Sequence, residues 1–468
     1  LKALRKNKDE TLEFFDWKLD FPEVMNDKVT KEAGFDIVIG NPPYLNFKMY
    51  SSEERELLKK VYPQIFDGKA DIYYYFFICA LRLSRQHAFN SFITSRYWIE
   101  AEFASKLRKY LVDSATLIEL VDFKNVTVFD GIGIKTGITS FRTNSKPDYF
   151  FFYRDHPGKK IDTVNLDDFK TITIPKKNIQ KNNWVLKNDE GSSLIEKIET
   201  NSILLSAIAN CKQGIVTGLD KAFITTTNEF KTLPKHIRKP WLKVGDIHRY
   251  QIIPVEKREL IYTNDIKNLN EYPILKARLQ PFKLKLSNRR EAANGKIRWF
   301  DLQWAREAKI FDSEKLICRF KASQNTFCYD DKGYYSSADT TVVSLKDNVN
   351  DVDLKYVLVL LNSKLLDFYF KSYGKLMDYR YEYYPGPVGN LKVKKTNNQK
   401  PYIELVDKIL DYKSKGKSTE ELEARVDLLV YKLYNLSYAE ASLIEGGTDW
   451  MSESEYQNSS TEKASNPV

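Results

Sequence analysis

The tetrapeptide Asn41-Pro42-Pro43-Tyr44 brings together residue types that can act jointly on an amino group. The Asn41 amide oxygen and the Pro42 carbonyl are both acceptors, because a proline keeps its C=O while losing its N–H. Two acceptors gripping one NH2 group draw its nitrogen from planar toward pyramidal and expose the lone pair to a methyl electrophile. Tyr44 adds a flat face on which a ring can stack. A general base is not needed, since the proton can leave after transfer. The set suits methylation of the exocyclic amino group of a flipped nucleobase, which requires an edge reader and a stacking surface in a dry pocket. The plain alternative is a Pro-Pro turn without chemistry.

Such a corner has to be held by regular structure. Phe35, Ile37, Val38 and Ile39 form an apolar run between Gly34 and Gly40, which predicts a strand covered on both faces in a parallel sheet. The two prolines stop that strand at Asn41, so the loop falls at the carboxyl edge of a sheet, where open α/β folds bind ligands. Around it, residues 1–145 alternate strand and helix signals. "FFDWKLDF" alternates like a strand, and "SSEERELLKKVY" is a helix opened by serines. "KADIYYYFFICALRLSR" is an apolar helix, "FNSFITSRYW" a strand, "EFASKLRKYLVD" a helix, and "TLIELVDF" and "IKTGITSFR" strands. This is the grammar of a doubly wound parallel sheet. Residues 146–205 form a more polar, mixed connector with strands such as "KTITIP" and a helix at "SSLIEKIE". Residues 206–395 form an α+β module of short strands and turns, with one long helix at "VDLKYVLVLLNSKLLDFYFKSY". Residues 396–445 are helical, and the polar tail 446–468 is predicted to be disordered.

The chain has 468 residues, of which 42% are hydrophobic and 29% charged, enough for two or three domains with real cores. A net charge of +10 with 29 Tyr and 27 Phe fits a nucleic-acid binder and equally a generic basic surface. Cys79, Cys211, Cys318 and Cys328 are scattered without a CxxC pair, which points to a reducing compartment; the four histidines are dispersed too, against a zinc site. The longest apolar run is too short for a bilayer, so a cytoplasmic location is expected. Lys276, Arg278, Lys283, Lys285, Arg289, Arg290, Lys296 and Arg298 face a single acid, Glu291, within one short segment. That density suits phosphate neutralisation, or else a solvated helix face. Trp299, Phe300 and Trp304 follow it. Arg319, Lys321, Gln324 and Asn325 carry suitable donors for base edges. "DSEK" at 312–315 reads as a solvated turn rather than a nuclease motif.

"GFDIVIGNPPY" resembles the catalytic motif of the gamma-class adenine-specific DNA methyltransferases of type IIG restriction-modification enzymes. The resemblance implies that Asn41, Pro42, Pro43 and Tyr44 are catalytic and that Asn41 and Phe76 border the cofactor, S-adenosylmethionine. It also implies that Phe129, in "VTVFDGIGIKTGITSF", sandwiches the flipped base opposite Tyr44. "KQGIVTGLDKAFI", "KPWLKVGDIHRY", "YPILKARLQPFKLKLSNRR" and "YVLVLLNSKLLDFYF" are similar to a TaqI-like target-recognition domain, which implies duplex DNA as partner. The implied fold class is α/β: a partial Rossmann-like methyltransferase sheet followed by an α+β target-recognition domain and C-terminal helices. Two departures matter. "HAFN" stands where the family has a Gly-Gly turn, and Ser95 where it has a proline. In the family the cofactor's Gly-containing turn and its acidic ribose reader precede the catalytic loop, whereas the 40 residues before Asn41 hold no GxG turn. The expectation is therefore the C-terminal portion of a longer enzyme, with weak cofactor binding and little activity alone, partnered by the missing half or a complementary chain. A second reading is a specificity module that recognises sequence while another segment or chain does the catalysis.

Overall fold

Gly34 has φ +128°, and a Cβ there would overlap the backbone of Ser84 and Arg85, so the tight entry into the first strand, β1 (Phe35–Gly40), demands glycine. A computed structural model describes residues 15 to 459 apart from positions 125, 127, 130–132, 145, 147, 156–164, 166–168, 181–183, 185, 187, 188, 201, 227–229, 378 and 448. The chain divides into two units, Leu1–Ser192 and Ser193–Val468.

In the first unit, the segment read as a leading strand is instead a helical turn, α1 (Trp17–Asp20). Asp16 caps it, accepting from the Lys18 and Leu19 amides at 2.8 and 3.3 Å. Its aromatics meet Phe35 edge-on rather than lining a sheet. After β1 come α2 (Ser52–Val61), α3 (Tyr73–Leu83), β2 (Ser84–Ser95), α4 (Ser105–Ser114), β3 (Ala115–Asp122), β4 (Thr136–Thr143), β5 (Phe150–Asp155) and β6 (Lys170–Pro175). Ser51 and Glu54 close a reciprocal cap on α2. α3 has no side-chain cap; apolar burial holds it, with Tyr73, Tyr74, Tyr75, Phe77 and Ile78 buried in one cluster with Phe92, Trp98 and Phe141.

These strands form one sheet in the order β1-β2-β4-β3-β5-β6. The expected all-parallel sheet is a mixed one. The crossover through α2 and α3 makes β1 and β2 parallel, whereas β4 runs antiparallel to both neighbours, with no helix among the described residues between β3 and β4. β5 and β6 come from the connector stretch, β6 being the "KTITIP" strand read there, and both extend the same sheet. The expectation of a fully covered β1 also fails. It lies at the sheet edge, and while Val38 packs into the core, Ile37 and Ile39 on the opposite face are 59% and 73% exposed.

The second unit is α+β. Its strands include β7 (Ala209–Gln213), β8 (Ile224–Thr225), β9 (Arg238–Leu242), β10 (Glu259–Ile261), β11 (Lys315–Arg319), β12 (Phe327–Asp330), β13 (Tyr335–Ser336) and β14 (Thr340–Leu345). They make two four-stranded sheets, β12-β11-β14-β7 and β13-β9-β10-β8. Its helices include α5 (Pro273–Leu279), α6 (Lys283–Ser287), α7 (Leu354–Asn362), α8 (Lys364–Tyr373), α9 (Lys400–Ser414) and α10 (Glu420–Leu433). α7 and α8, read as one helix, break at Asn362-Ser363. The Asn362 side chain bonds both backbone groups of Phe327, and the Ser363 hydroxyl caps α8. The tail read as disordered holds a further helix, α11 (Glu453–Asn458), anchored by buried Tyr456, whose hydroxyl donates to the Leu436 carbonyl at 2.8 Å. Residues 460–468 lie outside the described residues. Among the described residues no helix is long and apolar enough to cross a membrane.

Candidate active site at the carboxyl edge of the sheet

Gly40, the last residue of β1, lies against Phe92 of β2, and a Cβ there would sit 3.0 Å from its ring. The chain then leaves the sheet as Asn41-Pro42-Pro43-Tyr44. Pro42 is buried and fixes the corner, while Asn41 and Pro43 are exposed. Tyr44 turns back onto the sheet. Its hydroxyl donates to the Ile93 carbonyl at 3.2 Å and its ring meets Tyr73 edge-on at 6.3 Å. Burial pushes the Tyr44 hydroxyl above the ordinary tyrosine value, so it stays protonated and hydrogen-bonded at neutral pH.

The loop beyond Tyr44 is clamped by two residues that the sequence reading passed over. An Asp71 carboxylate oxygen accepts from the Phe47 amide at 3.2 Å, and the Arg55 guanidinium donates to the carbonyls of Phe47 and Gly68 at 2.7 and 3.4 Å. Nothing in their spacing marks them, because both act across a gap closed only by the fold.

β3 runs parallel to β1, since β2 and β3 both oppose β4, so the segment carrying Phe129 leaves the sheet at the same edge as Asn41. Phe129 is half-buried; its neighbours 127 and 130–132, most of the "DGIG" run, lie outside the described residues. Between these exits lies a buried ionic cluster. Arg96, just past β2, reaches Asp122 at 2.5 and 2.8 Å and Glu100 at 2.6 Å, and the Tyr153 hydroxyl donates to Asp122 at 3.0 Å. Burial pushes the Asp122 carboxyl up, but the Arg96 guanidinium outweighs it and holds the group below the usual carboxylate range. Ser95 accepts from the Tyr97 amide at 3.5 Å. In α3, Phe76 is the exposed ring of an otherwise buried aromatic run, at 37%.

The basic segment of the second unit divides into two sets. Arg289 is buried and donates to the carbonyls of Leu286, Thr217, Trp299 and Asp301, which makes it a structural clasp. Arg298 is bound by Asp301 and by the Asn264 carbonyl, and Arg278 by the Lys221 carbonyl. Lys276, Lys283, Lys285, Arg290 and Lys296 are exposed. Among the candidate base readers, Asn325 is a core amide tied to the Leu361 carbonyl and the Tyr383 hydroxyl, and Arg319 donates to the Ile247 carbonyl. In "DSEK", Asp312, Ser313 and Glu314 are exposed as a solvated turn would have them, whereas Lys315 is buried and pairs with Asp330 at 2.6 Å; Asp312 also accepts from Tyr335.

Residues 1–129 match the family described as Eco57I restriction-modification methylase, and residues 239–384 match the TaqI-like C-terminal specificity domain. The type II methyltransferase M.BanIII of Aneurinibacillus aneurinilyticus is 22% identical over 87% of this chain and 78% of its own length. M.BstVI of Geobacillus stearothermophilus is 24% identical over 89% of this chain and 76% of its own. Among solved structures, the type IIL restriction-modification enzyme MmeI, determined in complex with DNA, superposes with a TM-score of 0.63 at 13% identity, over 95% of this chain. This chain spans 59% of the length of that one, and the likeness is one of fold. The chain is thus homologous to type II methyltransferases that act in restriction-modification systems and has the mixed α/β fold of methyltransferase-like proteins.

Proposed function

We propose that the chain is the site-specific, adenine-specific DNA-methylating part of a restriction-modification enzyme, with the first unit carrying the methylation corner and the second reading duplex DNA. The observation that carries this reading is the corner itself: an exposed Asn41 amide at the end of a strand, fixed by buried Pro42 and followed by a ring pinned to Ile93. Asn41 and the Pro42 carbonyl accept from the exocyclic amino group of an extruded adenine, raising the availability of its lone pair. Tyr44 stacks on one face of the base and Phe129 on the other. The exposed cations of 276–296 hold phosphates.

The residues at hand fit part of S-adenosylmethionine. Phe76 offers an exposed ring and Asn41 an amide, whereas the 40 residues before Asn41 lack the Gly-rich turn. When bound, that group supplies an electrophilic methyl on a sulfonium. The rest of its binding is assigned to a further segment or a complementary chain.

The test is methylation of duplex DNA from labelled S-adenosylmethionine, with that complementary half added. Asn41→Ala should lower transfer by at least about a hundredfold, as removal of a single reactive-centre hydrogen-bond partner does elsewhere, while DNA affinity in a gel shift stays unchanged. Transfer that persists in the variant refutes the site. DNA binding without any transfer, even with the added half, favours the second reading, a module that only recognises sequence.

A further inference from the structure

In the second unit a cavity of about 550 Å³ opens beside β9 and β10. Its walls combine flat apolar groups, Pro240, Trp241, Pro254 and Tyr334, with the cations Lys235, Arg238, Lys257 and Arg258. The arginines are already neutralised: Arg238 forks onto Glu259 at 2.7 and 3.0 Å, and Arg258 pairs with Asp246 at 2.9 Å and Glu256 at 2.8 Å. Neither lysine has an acidic partner among the described residues, and both are exposed at the rim. Trp241 is 1% exposed and its indole N–H finds no acceptor among the described residues. Trp241 therefore backs the wall without a free face, and the cavity offers the two unpaired lysines and the Tyr334 ring while its carboxylates are engaged. An acceptor-rich, flat anion complements such a lining. Inorganic phosphate is too small for a space in the usual range for organic ligands, whereas a base joined to a phosphate satisfies both halves.

We propose that this cavity binds a nucleotide, with the base against Tyr334 and the phosphate on Lys235 and Lys257. The site is separate from the methylation corner and does not depend on the methyl-transfer reading. The nucleotide comes either free in solution or as an unstacked unit of a nucleic-acid strand.

Calorimetric titration of the full chain with AMP, adenosine and inorganic phosphate tests it. AMP should bind, with adenosine and phosphate each weaker by about tenfold or more, and K235Q/K257Q should weaken AMP by a similar factor, the worth of a charge-assisted contact. Both lysines are exposed, so the double variant should keep its fold; Tyr334→Leu, which removes a ring wall, should also weaken AMP. The sources separate in a parallel gel shift. If K235Q/K257Q also loses affinity for an oligonucleotide, the site takes a nucleotide within a strand; if not, it takes a free one. Absence of AMP binding, or AMP binding indifferent to both variants, overturns the proposal. Methyl-transfer assays do not bear on either result.

Discussion

Tyr44 carries two separable contributions. Its hydroxyl holds the corner through Ile93, and its ring is the proposed stacking face. Tyr44→Phe should cost about 1 kcal/mol of stability, a typical net hydrogen bond, and leave methylation largely intact. Tyr44→Ala should cost a further 1–3 kcal/mol of base contact, roughly the value of one base–aromatic stack, read as reduced fluorescence of an extruded 2-aminopurine. Arg289 illustrates the opposite case. In the sequence it is one of eight similar cations, yet four carbonyls consume its donors. Arg289→Gln should lower the melting temperature, with a loss of about 2–4 kcal/mol from orphaned buried acceptors, whereas Lys285→Gln, at an exposed side chain, should leave it unmoved. No pattern in one sequence separates these neighbours, because the difference lies in which carbonyls the fold brings to them.

At the scale of elements, the start of α8 holds a buried acid. Asp427 of α10 accepts from the Lys364 amide at 2.8 Å, and burial pushes its carboxyl up to about 7, against the pull of that N–H and of Arg249. An unfolded aspartate titrates near pH 3.9, so between about pH 4 and 7 the folded chain holds a proton that the unfolded chain has released. Stability from this group is full below about pH 4 and is lost as pH rises toward 7. Asp427→Asn keeps the acceptor without the charge and should raise the unfolding midpoint at pH 8, with the gain vanishing near pH 4; a gain equal at both pH values would exclude this account. Elements like these were legible where the signal was local. The cap on α2, the apolar run of α3 and the break after β1 all follow from residues within a turn of each other. What failed was non-local. The "FFDWKLDF" alternation lost to the Asp16 cap, the all-parallel sheet lost to the antiparallel insertion of β4 between β2 and β3, and the exposure of β1 depends on neighbours that the run itself does not encode.

For the whole molecule, the net charge of +10 overstates the cations free for phosphate. Of the eight read from the sequence, Lys276, Lys283, Lys285, Arg290 and Lys296 remain exposed, and Arg290 among them is already paired with Glu291 at 2.6 Å. Each phosphate contact contributes roughly 0.9 to the slope of log affinity against log salt. Replacing those five by glutamine should therefore flatten the slope by up to about 4.5, while an unchanged slope would place DNA on another surface. The Asn41–Tyr44 corner was legible as a break after a strand because its residues are contiguous in the chain; Arg55, Asp71 and the Arg96–Asp122 cluster were not, because their partners are brought to them only by the fold. Among the described residues, β1 pairs with a strand on one side only. Its last residue, Gly40, is bonded directly to Asn41, so a strand added along the other side would stiffen the backbone that aims the amide. Docking there and ordering of the reactive corner would then be a single equilibrium, and whatever shifts one shifts the other by the same free energy.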